Sequence, residues 1–147
     1  MATFIPSSEE GNMNYFEAAF GDFAPHRDED AAIKFVLNVI MLDNRLDELA
    51  ELIVAGNSLG AIEGEPGWTL ERRDEQDEGK ACYGRWPSGA RFRAYVDPQG
   101  YELAHPEFFM ARDVIARYLS QAMDAYAAAD VAGEHASALG RVRAALS

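Results

Sequence analysis

Apolar residues recur every three or four positions over two long stretches of the chain, and every second position over the stretch between them. The first spacing is the signature of a helix with a buried face, the second of a strand with a solvated one. Ile33, Val36, Leu37, Ile40 and Met41 form one helical stripe, and Phe35, Val39, Leu42, Leu46, Leu49 and Ile53 form another. Until Leu42 the segment is apolar nearly all round, as a central buried helix would be. Beyond it only one face stays apolar, with Asp43, Asp47, Glu48 and Glu51 outside. Asp28, Glu29 and Asp30 open this segment at the positive end of the helix dipole, and Gly56 closes it. It reads as one helix of about seven turns or as two helices kinked near Asp43–Asn44. A shorter helix capped by Asn12 or Asn14 and closed by Gly21 precedes it.

The C-terminal stretch repeats the pattern. Phe108, Ala111, Ile115, Tyr118, Leu119, Ala122 and Tyr126 share a face, with Pro106 suited to the first turn and Glu107 complementing the dipole. A last helix spans roughly 131–146, weakened by Gly133 and Gly140.

Between the helical stretches, Gly56 to Gly67 reads as a loop. Trp68–Arg73, Lys80–Trp86 and Arg91–Val96 read as strands, with Pro87-Ser88-Gly89 turning between the last two. Asp97-Pro98-Gln99-Gly100 has turn chemistry, and Tyr101–Leu103 adds a short fourth strand. The predicted architecture is α+β: a small antiparallel meander of three to four strands, with N-terminal and C-terminal helices packed against it. A chain of 147 residues suits a single domain, 1–147, with helices at about 12–55, the meander at about 68–103 and helices at about 106–146.

Charge changes the picture more than composition does. Residues 1–80 hold 18 acids and 6 Lys/Arg, whereas residues 81–147 hold 7 of each, so the whole net charge of −12 lies in the first part. Nucleic acid and anionic membrane are repelled by such a surface, which favours a basic protein as partner. The one cysteine, Cys82, excludes an internal disulfide and fits a reducing cytoplasm. The N-terminus lacks the basic and apolar regions of a secretion signal, and no run is long enough to span a membrane.

Candidate chemistry is sparse. Gly56, Gly60 and Gly64 lack the Lys-Ser/Thr ending of a phosphate-binding loop. His26, His105 and His135 are scattered, with no second ligand at metal spacing, so neither metal nor cofactor is expected. His105 reads as a helix cap or a neighbour of Tyr101. Cys82 reads as a core residue, not a nucleophile. The acids Asp74, Glu75, Asp77 and Glu78, beside Glu71 at a hairpin tip, offer a landing surface for a basic partner, as do Asp43, Asp47, Glu48 and Glu51. Trp68 and Trp86 read as core, although Trp86 at a strand end could anchor an interface.

The run from Tyr95 through Asp97-Pro98-Gln99-Gly100 to His105-Pro106-Glu107-Phe108, followed by a long helix, resembles small acidic bacterial immunity proteins of polymorphic toxin and contact-dependent growth inhibition systems. The resemblance covers the C-terminal third and the overall size and acidity. It implies a non-enzymatic cytoplasmic protein that binds and neutralises a cognate toxin domain. Many such toxins are nucleases, whose basic sites an acidic surface complements. Two other classes fit the pattern. A secretion chaperone or adaptor would expose an apolar groove, and a small-molecule-binding regulatory domain would enclose an aromatic pocket.

Overall fold

A computed structural model describes residues 15–65, 67–74 and 86–146. The fold is α+β. Helix α1 (Phe16–Phe20), α2 (Ala31–Leu42) and α3 (Leu46–Leu52) precede four strands, β1 (Ala61–Gly64), β2 (Trp68–Arg72), β3 (Phe92–Val96) and β4 (Glu107–Met110). Helices α4 (Arg112–Ala129) and α5 (Ala136–Leu146) follow. The strands pair antiparallel in the order β1-β2-β3-β4, a simple meander.

Alternation along β2 and β3 sorts the two faces of the sheet. Trp68, Leu70, Phe92, Ala94 and Val96 point inward and are buried, while Thr69, Glu71, Arg93 and Tyr95 stay partly exposed. Helix α2 lies across β2, β3 and β4 on the buried side. Residues 31–41 of α2 are all buried, as an all-round apolar helix requires, and they include Lys34 and Asn38. Ile115, Leu119, Ala122, Met123 and Tyr126 of α4 complete this core with Leu139 and Val142 of α5.

The helical stretch from Asp28 to Gly56 is two helices, α2 and α3. Asn44, at φ +56°, takes the left-handed conformation that Asn tolerates better than most residues, and it breaks the helix at the expected kink. Gly56 also has a positive φ, but α3 has already ended at Leu52, so Gly56 shapes the next turn instead of capping the helix.

Several boundaries differ from the sequence reading. Residues 61–64, read as loop, form β1, paired through Ile62 to Leu70. Tyr101–Leu103 is not a strand; the fourth strand is Glu107–Met110, whose Phe108 pairs with Ala94. Pro106 and Glu107 therefore enter a strand, and α4 begins at Arg112 after Ala111 in an extended conformation. The last helix starts at Ala136, not at 131. Trp86 lies in a bend and not in a strand, whereas residues 80–85 of that expected strand, and residues 12–14 of the first helix, lie outside the described residues. The Asp97 turn forms as expected. Gly100 N donates to Asp97 O at 2.8 Å, and Gln99 N donates to the Asp97 carboxylate at 2.9 Å.

Candidate functional site: an acidic cleft at one end of the sheet

The acids predicted to face a partner divide into paired and open ones. Asp74 is paired. Its carboxylate accepts from Arg72 Nε at 2.8 Å and Arg72 Nη2 at 3.2 Å, and also from Gly56 N. Arg72 is 4% exposed, because the alternation of β2 turns it inward with Trp68 and Leu70. Its remaining donors reach the carbonyls of Leu52, Asn57 and Leu59, so all five N–H groups are used. Asp74 is the counter-ion of this clamp, and its side chain is 10% exposed.

Glu71 is paired too. Arg93 stands between two carboxylates on the open face of the sheet, donating through Nη1 to Glu71 at 2.7 Å and through Nε to Glu107 at 2.5 Å. Its guanidinium lies 4.7 Å from the centre of the Tyr95 ring. Asp47 binds Arg141 of α5, and Glu48 binds Arg45 through both oxygens, at 3.0 and 2.7 Å. The hydrogen bonds from Arg45 hold the Glu48 carboxyl below its ordinary range. Asp43 and Glu51 are exposed and form no ion pair among the described residues. Glu75, Asp77, Glu78 and Cys82 lie outside the described residues.

Of the two tryptophans, Trp68 is core at 1% exposure. Trp86 is only half-buried. Its ring meets Phe109 edge-on at 5.3 Å and lies 5.6 Å from the Arg73 guanidinium, which leaves it near the open face of the sheet. His105 is exposed and caps nothing; Tyr101 packs on Phe35 instead. Among the described residues no three His, Cys, Asp or Glu side chains lie close enough to hold a metal ion.

The acids that remain open converge elsewhere. Glu63 near the end of β1 and Glu65 in the β1–β2 turn lie close to Asp97, just past the end of β3. Together with Thr69, Trp68 and Tyr95 they line a cleft of about 330 Å³. Local geometry builds it tightly. A side chain at Gly64 would come within 2.9 Å of the Trp68 ring, and Gly67, at φ +123°, accepts from Asp97 N at 2.6 Å. Trp68 Nε1 donates to Glu65 O at 2.9 Å, fixing the turn on the ring. Arg45 lies 5.3 Å from the Trp68 ring centre and is bonded to Glu63 O at 3.1 Å. Glu48 already occupies its charge. Glu63, Glu65 and Asp97 form no ion pair among the described residues. Carboxylates without an ion pair suit a guanidinium or ammonium group, while the rings of Trp68 and Tyr95 already face Arg45 and Arg93. Glu63 and Glu65 do not stand out in the sequence, because residues 56–67 read as a loop, and Asp97 stands out only as a turn residue. Glu65-Pro66-Gly67 before a tryptophan was the available turn signal.

A second opening of about 600 Å³ lies between α3 and α5. Ala50, Val54, Ala144 and Ala145 floor it, and the Asp47–Arg141 pair stands at its rim. Among the described residues no helix is long and apolar enough to cross a membrane. Comparison with family models, curated proteins and solved structures finds no match.

Proposed function

We infer that this protein acts by binding and not by catalysis: it captures a basic toxin domain in the cytoplasm and neutralises it, as an immunity protein does. The observation that carries this reading is the acidic cleft. Glu63, Glu65 and Asp97 line it with Trp68 and Tyr95, and the cations beside those two rings, Arg45 and Arg93, are already engaged, Arg45 by Glu48 and Arg93 by Glu71 and Glu107. The resemblance of the 95–108 run to immunity proteins and the confinement of the net charge to residues 1–80 support the same reading. A basic side chain of the partner enters the cleft, and the surrounding negative field draws the partner in. The partner-binding set is thereby revised. Glu71, Asp74, Asp47 and Glu48 serve internal ion pairs, while Asp43 and Glu51 remain open on the α2–α3 side. Trp86 lies on the open face of the sheet.

Co-expression tests the proposal. Cells producing a basic toxin domain found encoded beside this protein's gene should survive when the wild-type chain is present. The Glu63→Gln, Glu65→Gln, Asp97→Asn variant should protect at least about tenfold less well, since each desolvated charge-assisted contact contributes about 1.5–3 kcal/mol. Full protection by a folded variant would remove the cleft from the interface. No protection by the wild type would remove the immunity reading altogether.

A further inference from the structure

We propose that Tyr15–Asp30 is a strap that opens as a unit from the face of α2 it covers, while the sheet and α4 remain folded. The reason lies in the kind of surface beneath it. α2 is buried on every side, yet Lys34 and Asn38, four residues apart and so on one face, are polar. Both find their partners in the strap. Lys34 Nζ donates to Asp28 at 3.1 Å and to Asp22 O at 3.3 Å, and lies 3.5 Å from Asp30. Asn38 Oδ1 accepts from Tyr15 N at 2.6 Å. The other half of that amide, Asn38 Nδ2, is enclosed without a hydrogen-bond partner among the described residues. Closing the strap therefore strands one donor that water would satisfy in the open state. A core face that carries an ammonium and an amide is suited to being wetted.

The strap is also built to move as one piece. Phe16 stacks on Phe23 within it, with ring centres 4.0 Å apart and planes within 7°. Asp28 accepts from Ala24 N at 2.8 Å, again within it. It takes no part in the β ladders. Its ties to α4 are side-chain contacts: Tyr15 against Tyr126, Phe20 against Tyr118, and the Tyr118 hydroxyl donating to Asp30 at 2.6 Å. One backbone bond reaches the β3–β4 connection, from Ala104 N to Pro25 O at 2.9 Å. Opening uncovers Lys34, Asn38, Tyr118 and Tyr126, each with a polar atom for water, and it also frees the buried Phe16 and Ala19 and the ring contacts of Tyr15, Phe20 and Phe23. Segments that lie over polar groups and outside the sheet open locally, ahead of global unfolding.

Residue-resolved hydrogen exchange of the full chain in sub-denaturing urea tests this. The amides of Tyr15, Ala19, Gly21, Ala24, Arg27 and Asp28 should exchange through one shared opening. That opening should be at least about tenfold more frequent than the one that exposes the β2 and β3 amides, and weakly dependent on urea. Ala104 is diagnostic: it belongs to another part of the chain but should share the opening of the strap. Asp28→Asn should make that opening about tenfold more frequent again, because the buried ammonium loses its nearest carboxylate. Strap amides that exchange only with β2 and β3 would overturn the proposal. So would strap amides that each exchange independently, or an opening that Asp28→Asn leaves unchanged.

Discussion

Arg72→Met should lower the free energy of unfolding by about 3–5 kcal/mol, measured by urea denaturation at neutral pH. Methionine fills much of the same space, so lost packing contributes little. The cost comes from what the guanidinium leaves behind. The carbonyls of Leu52, Asn57 and Leu59 lose their donor, and the largely buried Asp74 loses its counter-ion. Leu52 is the last residue of α3, where carbonyls have no partner within the helix. Arg72 therefore serves as the C-terminal cap of α3 from a neighbouring strand, and it holds the turn at 53–60 against β2. Asp74→Asn should cost somewhat less, about 3 kcal/mol, because one acceptor for Arg72 survives. If Asp74→Asn weakened partner binding without lowering stability, Asp74 would belong to the interface after all.

Lys34→Met should cost about 3 kcal/mol at pH 7, and the difference from wild type should shrink toward zero in acid. Burial opposes the charge on Lys34, but its bond to Asp28 and the charges of Asp30, Asp28 and Asp22 outweigh that and raise its pKa. Burial likewise opposes ionisation of Asp28, but the N–H of Ala24 and the Lys34 ammonium outweigh it and hold its carboxyl below the ordinary range. The signs set the pH window. A depressed carboxyl contributes stability above its unfolded pKa of about 3.9, lost as pH falls through the lower folded value. A raised ammonium contributes stability below its unfolded pKa of about 10.4, lost as pH rises through the higher folded value. The pair thus stabilises the fold between about pH 4 and pH 10. Below that window wild type keeps a buried ammonium with no ionised partner, whereas the methionine variant does not. Urea melts of both proteins at pH 7 and near pH 3 read this directly, and a constant difference between them would show that Lys34 acts by packing alone.

Periodicity made the helices and two of the strands legible, and Asn44 marked the break between α2 and α3. The misread elements have physical causes. Phe108, Ala111 and Ile115 keep helical spacing across a strand-to-helix junction, and Pro106-Glu107 has the chemistry of a helix start. Pairing of Phe108 with Ala94 overrides that local preference and makes β4. β1 has a single β-branched residue, Ile62, between glycines, and it becomes a strand because β2 offers it a partner. For the candidate site, the location of charge was legible but its neutralisation was not. Arg93 meets Glu71 and Glu107 from adjacent strands, and Arg141 meets Asp47 from 94 residues away, contacts that no local pattern encodes. Arg72 and Asp74 are misread as well: Asp74 reads as an open acid at a hairpin tip, whereas the alternation of Trp68 and Leu70 turns Arg72 inward and Asp74 becomes its counter-ion.

We propose that an open acidic cleft beside the β1–β2 turn steers and receives a basic partner. Its most direct test is stopped-flow association of the purified partner with wild type and with the Glu63→Gln, Glu65→Gln, Asp97→Asn variant, across ionic strength. The Debye length falls from about 10 Å at 0.1 M salt to about 3 Å at 1 M, so a steered encounter slows steeply over that range. Wild type should associate about tenfold or more faster than the variant at low salt, and the two rates should converge at high salt. Equal rates with the same salt dependence would contradict the account and return the acidic surface to simple solvation.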